Sequence, residues 1–506
     1  MKTLVFVATA LSFAASASAQ GSHGDHQLGT IDFKISCKAT AQDRFNRAVA
    51  WLHSFEYEEA EKEFLASATA DPKCAMNHWG VAMSNYHPLW SPPTTQELEK
   101  GRSAIEAAKN LGGMAGREAD FIGALNSFYR DAGSHEARVL AYTAAMEQLH
   151  LRYPADQEAA IFYALALIAA GTMDDDATYA RETEAAKILN RALALAPHHP
   201  GVSHYLIHGY DYPALAHLAL PAARTYAGIA PASAHAQHMP SHIFTRLGLW
   251  EEGIQSNLQA EAAARAYAAR HNMVGSWDER LHAMDYLAYS YLQLGQDEKA
   301  RELLGTLNEI RRVDPPNFKV AYAFSVIPAR FALERRQWDE AAALALSPNA
   351  ANALTWSQFP WAEAQIHFAR AVGAARSGKV AHARTETAKL AMIRRSMPAR
   401  EGEYDWGIQV EIQHRIAAAW LAAAERRSED ALTLMLSAAE LDDATEKHPV
   451  TPSAILPARE QYGELLLEVG RPAEALAAFN AMLARAPGRR NTVRGAAIAL
   501  AASKKP

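Results

Sequence analysis

Two pairs of histidines stand four residues apart, His204 with His208 and His238 with His242, and the second pair repeats the first at a fixed offset. His204 and His208 lie seven and eleven residues after Pro197; His238 and His242 lie seven and eleven after Pro231. Counted back from glycine the series goes on, because His235 and His238 stand 13 and 10 residues before Gly248, as His282 and Asp285 do before Gly295. Helical side chains at i, i+3, i+4 and i+7 share a face. That groups His204, His208 and Asp211; His235, His238 and His242; and His282, Asp285 and Tyr289. Neutral imidazole binds zinc, copper, iron or nickel, and a nearby carboxylate either ligates or orients a ring nitrogen. Six histidines and two aspartates exceed the needs of one tetrahedral ion, so either some are orienting partners or the site takes two ions. His204, His208, His238 and His242 are the expected ligand core, with His235, His282, Asp211 and Asp285 to complete it.

Such residues need elements that hold them in register. Apolar residues make up 49% of the 506-residue chain, with alanine used at helical spacing. Tyr462, Gly463, Leu466, Gly470, Ala475, Phe479 and Pro487 follow the spacing of the tetratricopeptide pattern, and Ala60, Phe64 and Pro72 match it near the N-terminus with Ser67 in a small-residue place. Gly295 with Ala300, Trp338 with Ala341, and Gly378 with Ala383 mark further units, and Pro197 and Pro231 are one 34-residue period apart. The expectation is an all-α solenoid of about ten helix pairs over residues 40–490, a right-handed superhelix, with a capping helix and tail over 491–506. Longer loops are expected around Trp90–Pro93, Asp174–Tyr179, Tyr267–Trp277 and Asp314–Pro316. A single helix pair cannot bury its apolar face alone, so neighbours stack into one continuous core.

Four blocks go beyond the generic repeat: Trp51–Tyr57, Asp71–Met76, His204–His208 and His238–Phe244. In these the chain resembles a group of exported bacterial tetratricopeptide proteins, along most of its length after the leader. The resemblance implies the fold and export but supplies no catalytic residues. It also implies that the first helix of each pair lines a concave groove. Three successive groove helices about 10 Å apart would then aim the six histidines and two aspartates at one region, within reach of ions bound at about 2 Å.

Plainer readings stand beside this one. Histidines often sit satisfied in cores, a structural histidine can be copied along an array, and a polar groove can bind peptide backbone. Pro240 also falls between His238 and His242, where it removes a helical hydrogen bond; a helix starting there would leave His235 and His238 on its entry loop. His53 and His87 are likewise 34 residues apart. With Trp51, Trp79, Tyr86 and Trp90 nearby, they read as packing or groove residues several repeats from the main cluster. Tyr210, Arg246 and Tyr289 are candidates to orient a substrate.

Residues 1–19 read as a signal peptide, with Lys2, the apolar stretch Leu4–Ala15 and the small-residue site Ala17-Ser18-Ala19. Residues 20–39 form an N-terminal extension. The implied address is periplasmic or secreted, and no later apolar run is long enough for a membrane span. In an oxidising compartment Cys37 and Cys74, the only cysteines, are expected to pair. A net charge of −6 without basic clusters argues against nucleic acid. No nucleophile elbow, H-E-x-x-H or phosphate loop is present. The expected function is a metal-binding solenoid with one or two transition-metal ions (copper, zinc or iron) and a small or extended ligand. As an enzyme it would be a hydrolase or an oxidoreductase; the rival is a metal-free peptide- or protein-binding scaffold.

Overall fold

The computed structural model describes residues 28–504 apart from 90–91, 113–115, 131–132, 174–175, 177, 347–353 and 399–403. The expected leader lies outside the described residues, as do Trp90, Asp174 and Asp175.

The chain is an all-α solenoid of helix pairs. It runs from Ala39–His53 and Tyr57–Ala70 to Ala458–Glu468 and Pro472–Arg485, and the helix Arg490–Ser503 closes the array. Among the described residues the one sheet is a two-residue parallel pairing of Ser276–Trp277 with Val313–Asp314. The repeat signature has a packing cause. A Cβ at Gly463 would sit 2.7 Å from the Phe479 ring, and one at Gly80 would sit 2.2 Å from Phe64. Each phenylalanine therefore needs a glycine opposite to let the next helix approach. Ser67, the departure from pattern, is buried and donates to the Ala41 carbonyl at 3.1 Å.

A disulfide joins Cys37 to Cys74 across 37 residues. Closing a loop of that length stabilises a chain by about 3–4 kcal/mol through denatured-state entropy. Cys37→Ser/Cys74→Ser is expected to lose that amount in urea unfolding without reductant; a loss under 1 kcal/mol would contradict the entropic account.

Two large apolar cores fill the array, one from Phe33 to Phe244 and one from Leu281 to Ala499, with a small third cluster around Ile254, Leu287 and Phe331. The first and last repeats both return to the middle. Ser233 Oγ donates to Glu56 Oε1 at 2.8 Å and Tyr267 Oη to Glu59 Oε1 at 2.5 Å. From the other end, Trp250 Nε1 donates to the Gly488 carbonyl at 3.3 Å and Lys447 Nζ to Asp211 Oδ2 at 2.9 Å. Gly201 lets the N-terminal repeat close in, since a Cβ there would lie 2.5 Å from His53 Nδ1. The histidines expected to do chemistry sit at this meeting of both ends.

Candidate metal centre

Three helical segments carry the six histidines: Pro200–Gly209, Ala234–His238 continued by Pro240–Leu247, and Asp278–Gln293. Pro240 opens the second part of the middle segment, but Met239 keeps helical dihedrals of −51° and −38°. His235 and His238 therefore lie on a short helix rather than an entry loop, as helical spacing requires. Ser233 caps that helix, accepting from the Ala236 amide at 3.0 Å.

The six imidazoles gather into two triads, His204, His208 and His235, and His238, His242 and His282, each with its ligand nitrogens within 4.8 Å of one another. In the first, His204 Nε2 lies 3.0 Å from His208 Nε2 and 3.2 Å from His235 Nε2. In the second, His238 Nε2 and His242 Nε2 are 3.1 Å apart. Nitrogens bound at about 2.0–2.1 Å around a tetrahedral ion would be about 3.3 Å apart, close to these separations. The triads abut: ring centroids are 6.2 Å apart for His208 and His242, and 6.5 Å for His235 and His238.

The outer nitrogens fix the tautomers. His204 Nδ1 donates to the His53 carbonyl at 2.6 Å, His238 Nδ1 to Asn257 Oδ1 at 2.7 Å, and His242 Nδ1 to Asp211 Oδ2 at 3.0 Å. Asn257 cannot present its amide the other way, because its Nδ2 donates to the Gly253 carbonyl at 2.8 Å. With Nδ1 protonated in each neutral ring, Nε2 carries a bare lone pair pointing inward. Burial holds all six imidazoles below their ordinary pKa, His204 at about 3. They are neutral at pH 7, which is the ligand form.

Asp211 orients the His242 ring and stands outside both triads. Burial alone would raise its carboxyl, but Lys447 and Arg246 hold it well below the ordinary value. Asp285 is not brought to the histidines as expected. It faces Arg330 Nε at 3.9 Å, with its carboxyl raised to about 6 by burial, an effect Arg330 opposes. Helical spacing put it on the face of His282, but its carboxylate turns toward Arg330 on the next repeat.

The substrate-orienting candidates are also placed elsewhere. Arg246 spends its guanidinium on Asp211 (Nε to Oδ1, 2.8 Å) and Glu446 (3.4 Å). Tyr289 accepts from Arg489 at 3.2 Å and packs edge-on against Trp250. Tyr210 is buried at the end of its helix and is absent from the pocket lining.

His53 and His87, by contrast, are not distant: the curl of the array brings both to the cluster. The His53 carbonyl holds His204, and His87 lines the pocket over the triads. His53 itself belongs to a third buried group, donating from Nε2 to Glu158 at 3.0 Å while His199 reaches the other Glu158 oxygen at 3.1 Å. Tyr205 Oη, 2.8 Å away, completes His53. Each carboxylate oxygen there already has its N–H, which makes this group a brace beneath His204.

The pocket has a volume of about 190 Å³. His208, His235, His242 and His282 form its floor, while Phe55, Tyr57, Leu89, Met239 and Val450 supply apolar walls. Lys319 also lines it, but burial, which would lower its pKa, is outweighed by Asp278 at 2.9 Å and by Glu279. Tyr286 stacks edge-on to His238, with centroids 4.6 Å apart, and its Oη is 3.4 Å from His242 Nε2.

Asn257, Tyr286, Phe55 and Lys447 were not anticipated from sequence. Two carry a signal in hindsight. Tyr286 is i+4 from His282, and Asn257 follows His238 by 19 residues, the offset at which His367 bonds Glu386. Phe55 and Lys447 arrive from the two ends of the chain and leave no local signal.

No protein-family model matches the chain, and no curated protein matches it. Solved structures do. Yeast Tom70 is similar at 9% identity and a TM-score of 0.30, over 92% of this chain and 89% of that one. The human IFIT1 dimer with PPP-AAAA is similar at 13% identity and 0.40, over 90% and 95%. The P58(IPK) TPR domain is similar at 11% and 0.22, over 92% and 100%. The class defined here is a tetratricopeptide-like solenoid that buries paired histidine triads where its ends meet its middle.

Proposed function

We propose that this protein is a metal-binding solenoid whose two histidine triads hold a pair of transition-metal ions beneath a small pocket. The observation that carries the reading is the facing of two unprotonated nitrogens. His238 and His242 both protonate Nδ1, yet their Nε2 lone pairs meet at 3.1 Å. Two buried lone pairs at that distance repel; a cation between them turns the repulsion into coordination. The orienting partners on the far side of each ring are the usual arrangement behind metal-bound imidazole. Six imidazoles without a thiolate also differ from the cysteine-rich structural zinc pattern.

The small pocket suits a small molecule better than an extended peptide, because five of the six imidazoles are buried. Metal-assisted chemistry on that molecule, hydrolytic or redox, is the activity class the site supports. Export from the cytoplasm, the address expected from residues 1–19, is part of the proposal.

Thermal unfolding of demetallated, untagged protein tests it. Free ion at a thousand times Kd adds about 4 kcal/mol per site. Zinc or copper is expected to raise the midpoint of the parent strongly and that of His204→Ala/His238→Ala hardly at all. Equal responses of parent and variant would remove the metal reading.

A further inference from the structure

The nature of the donors narrows the choice of ion and co-substrate. We infer that the pair is a copper pair, held as copper(I) at rest, which binds and reduces dioxygen between the two triads; this rests on the metal reading above.

Four observations support it. All six donors are imidazole nitrogens, with no carboxylate in either triad. Oxygen donors mark magnesium, calcium and manganese sites, and two histidines with one carboxylate mark non-haem iron; an all-imidazole set suits copper or zinc. The local charge then separates those two. Two divalent ions would bring four positive charges into a neutral cage. Asp211, the carboxylate behind His242, is already shared by Arg246 and Lys447. Unpaired buried charge is costly, and a copper(I) pair carries half as much of it. Thirdly, cross-triad centroid distances of 6.2 and 6.5 Å match the 6.3 Å between His208 and His235 within one triad. Ions in the two triads are thus close enough to share one diatomic ligand. Finally, the pocket above is small and walled by Phe55, Leu89, Met239 and Val450. Such a wall admits a neutral gas. Glu279 also lines the pocket, with one carboxylate oxygen bonded to Lys319.

The step balances without a proton. Each copper(I) gives one electron, dioxygen takes both, the O–O bond order falls from two to one, and both oxygen atoms stay in the pocket. On later reduction, two electrons and two protons from ascorbate restore copper(I), and the reduced oxygen leaves as hydrogen peroxide.

The test uses the untagged full chain, demetallated and loaded anaerobically with copper(I), beside a zinc-loaded sample. The expected result is two coppers per chain and uptake of one O2 per two coppers. An oxygen-dependent absorption band should appear, together with a copper X-ray edge moved to copper(II). Electron paramagnetic resonance should stay silent because the two copper(II) spins couple. His204→Gln and His238→Gln, which keep side-chain volume, should each hold one copper, lose the stoichiometric uptake and give the resonance of isolated copper(II). A chain that takes two zinc ions but refuses copper, or a two-copper chain that takes up no oxygen, overturns this inference and leaves the metal pair standing. A chain that retains no metal of either kind overturns both.

Discussion

Asp211→Ala is expected to cost about 3–5 kcal/mol of stability and to lower metal affinity 10–100-fold at the triad containing His242. Asp211 accepts from His242 Nδ1, Arg246 and Lys447. Removing it strands two largely buried cations, which costs far more than an exposed pair would, and frees the ring that must present Nε2. Asp211→Asn keeps an acceptor for His242 and should recover most of the affinity but less of the stability. Urea unfolding of the demetallated variants and metal competition on the loaded ones separate the effects. Equal loss of affinity in both variants would mean that charge, rather than ring orientation, is what Asp211 supplies.

The second large effect lies where the C-terminal repeats return. Arg489 is fully buried, 2.6 Å from Glu334 and 2.7 Å from Glu460, with the Tyr289 hydroxyl at 3.2 Å. Arg489→Ala removes the shared partner of two buried carboxylates, a loss of about 3–5 kcal/mol at pH 7. The effect should depend on pH. Burial would raise the Glu460 carboxyl, but Arg489 and Arg336 together hold it below its ordinary value. With the folded pKa depressed, the stabilisation is present above the unfolded value of about 4.3. It is lost as pH falls from there toward the folded pKa. The gap between wild type and Arg489→Ala should therefore be wide at pH 6–7, start to close near pH 4 and be narrow only near pH 2. A gap that is constant with pH would mean that packing, not the ion pairs, is what Arg489 contributes.

The sequence carried the parts of this molecule that follow from local periodicity. Gly463 opposite Phe479 is a packing rule written at fixed spacing, so the solenoid was legible. The six histidines were legible too, because H-x3-H at one repeat period places side chains on equivalent helical faces. What was hidden is set by the curl of the whole array. No spacing rule foretells that the His53 carbonyl, 151 residues before His204, would hold its Nδ1, or that Lys447 would reach Asp211 across 236. The same curl turned an expected concave groove into a small pocket. Arg246 and Tyr289 were misplaced for a related reason: proximity in sequence to a histidine says little about where a long side chain finds its charge partner.

The most direct test of the central claim is to count metal in untagged, dialysed protein after reconstitution, for the parent, His204→Ala, His238→Ala and the double variant. Paired triads predict two ions per chain in the parent, one in each single variant and none in the double. Equal metal content across all four, or none in the parent, would contradict the assignment of these histidines to a metal centre.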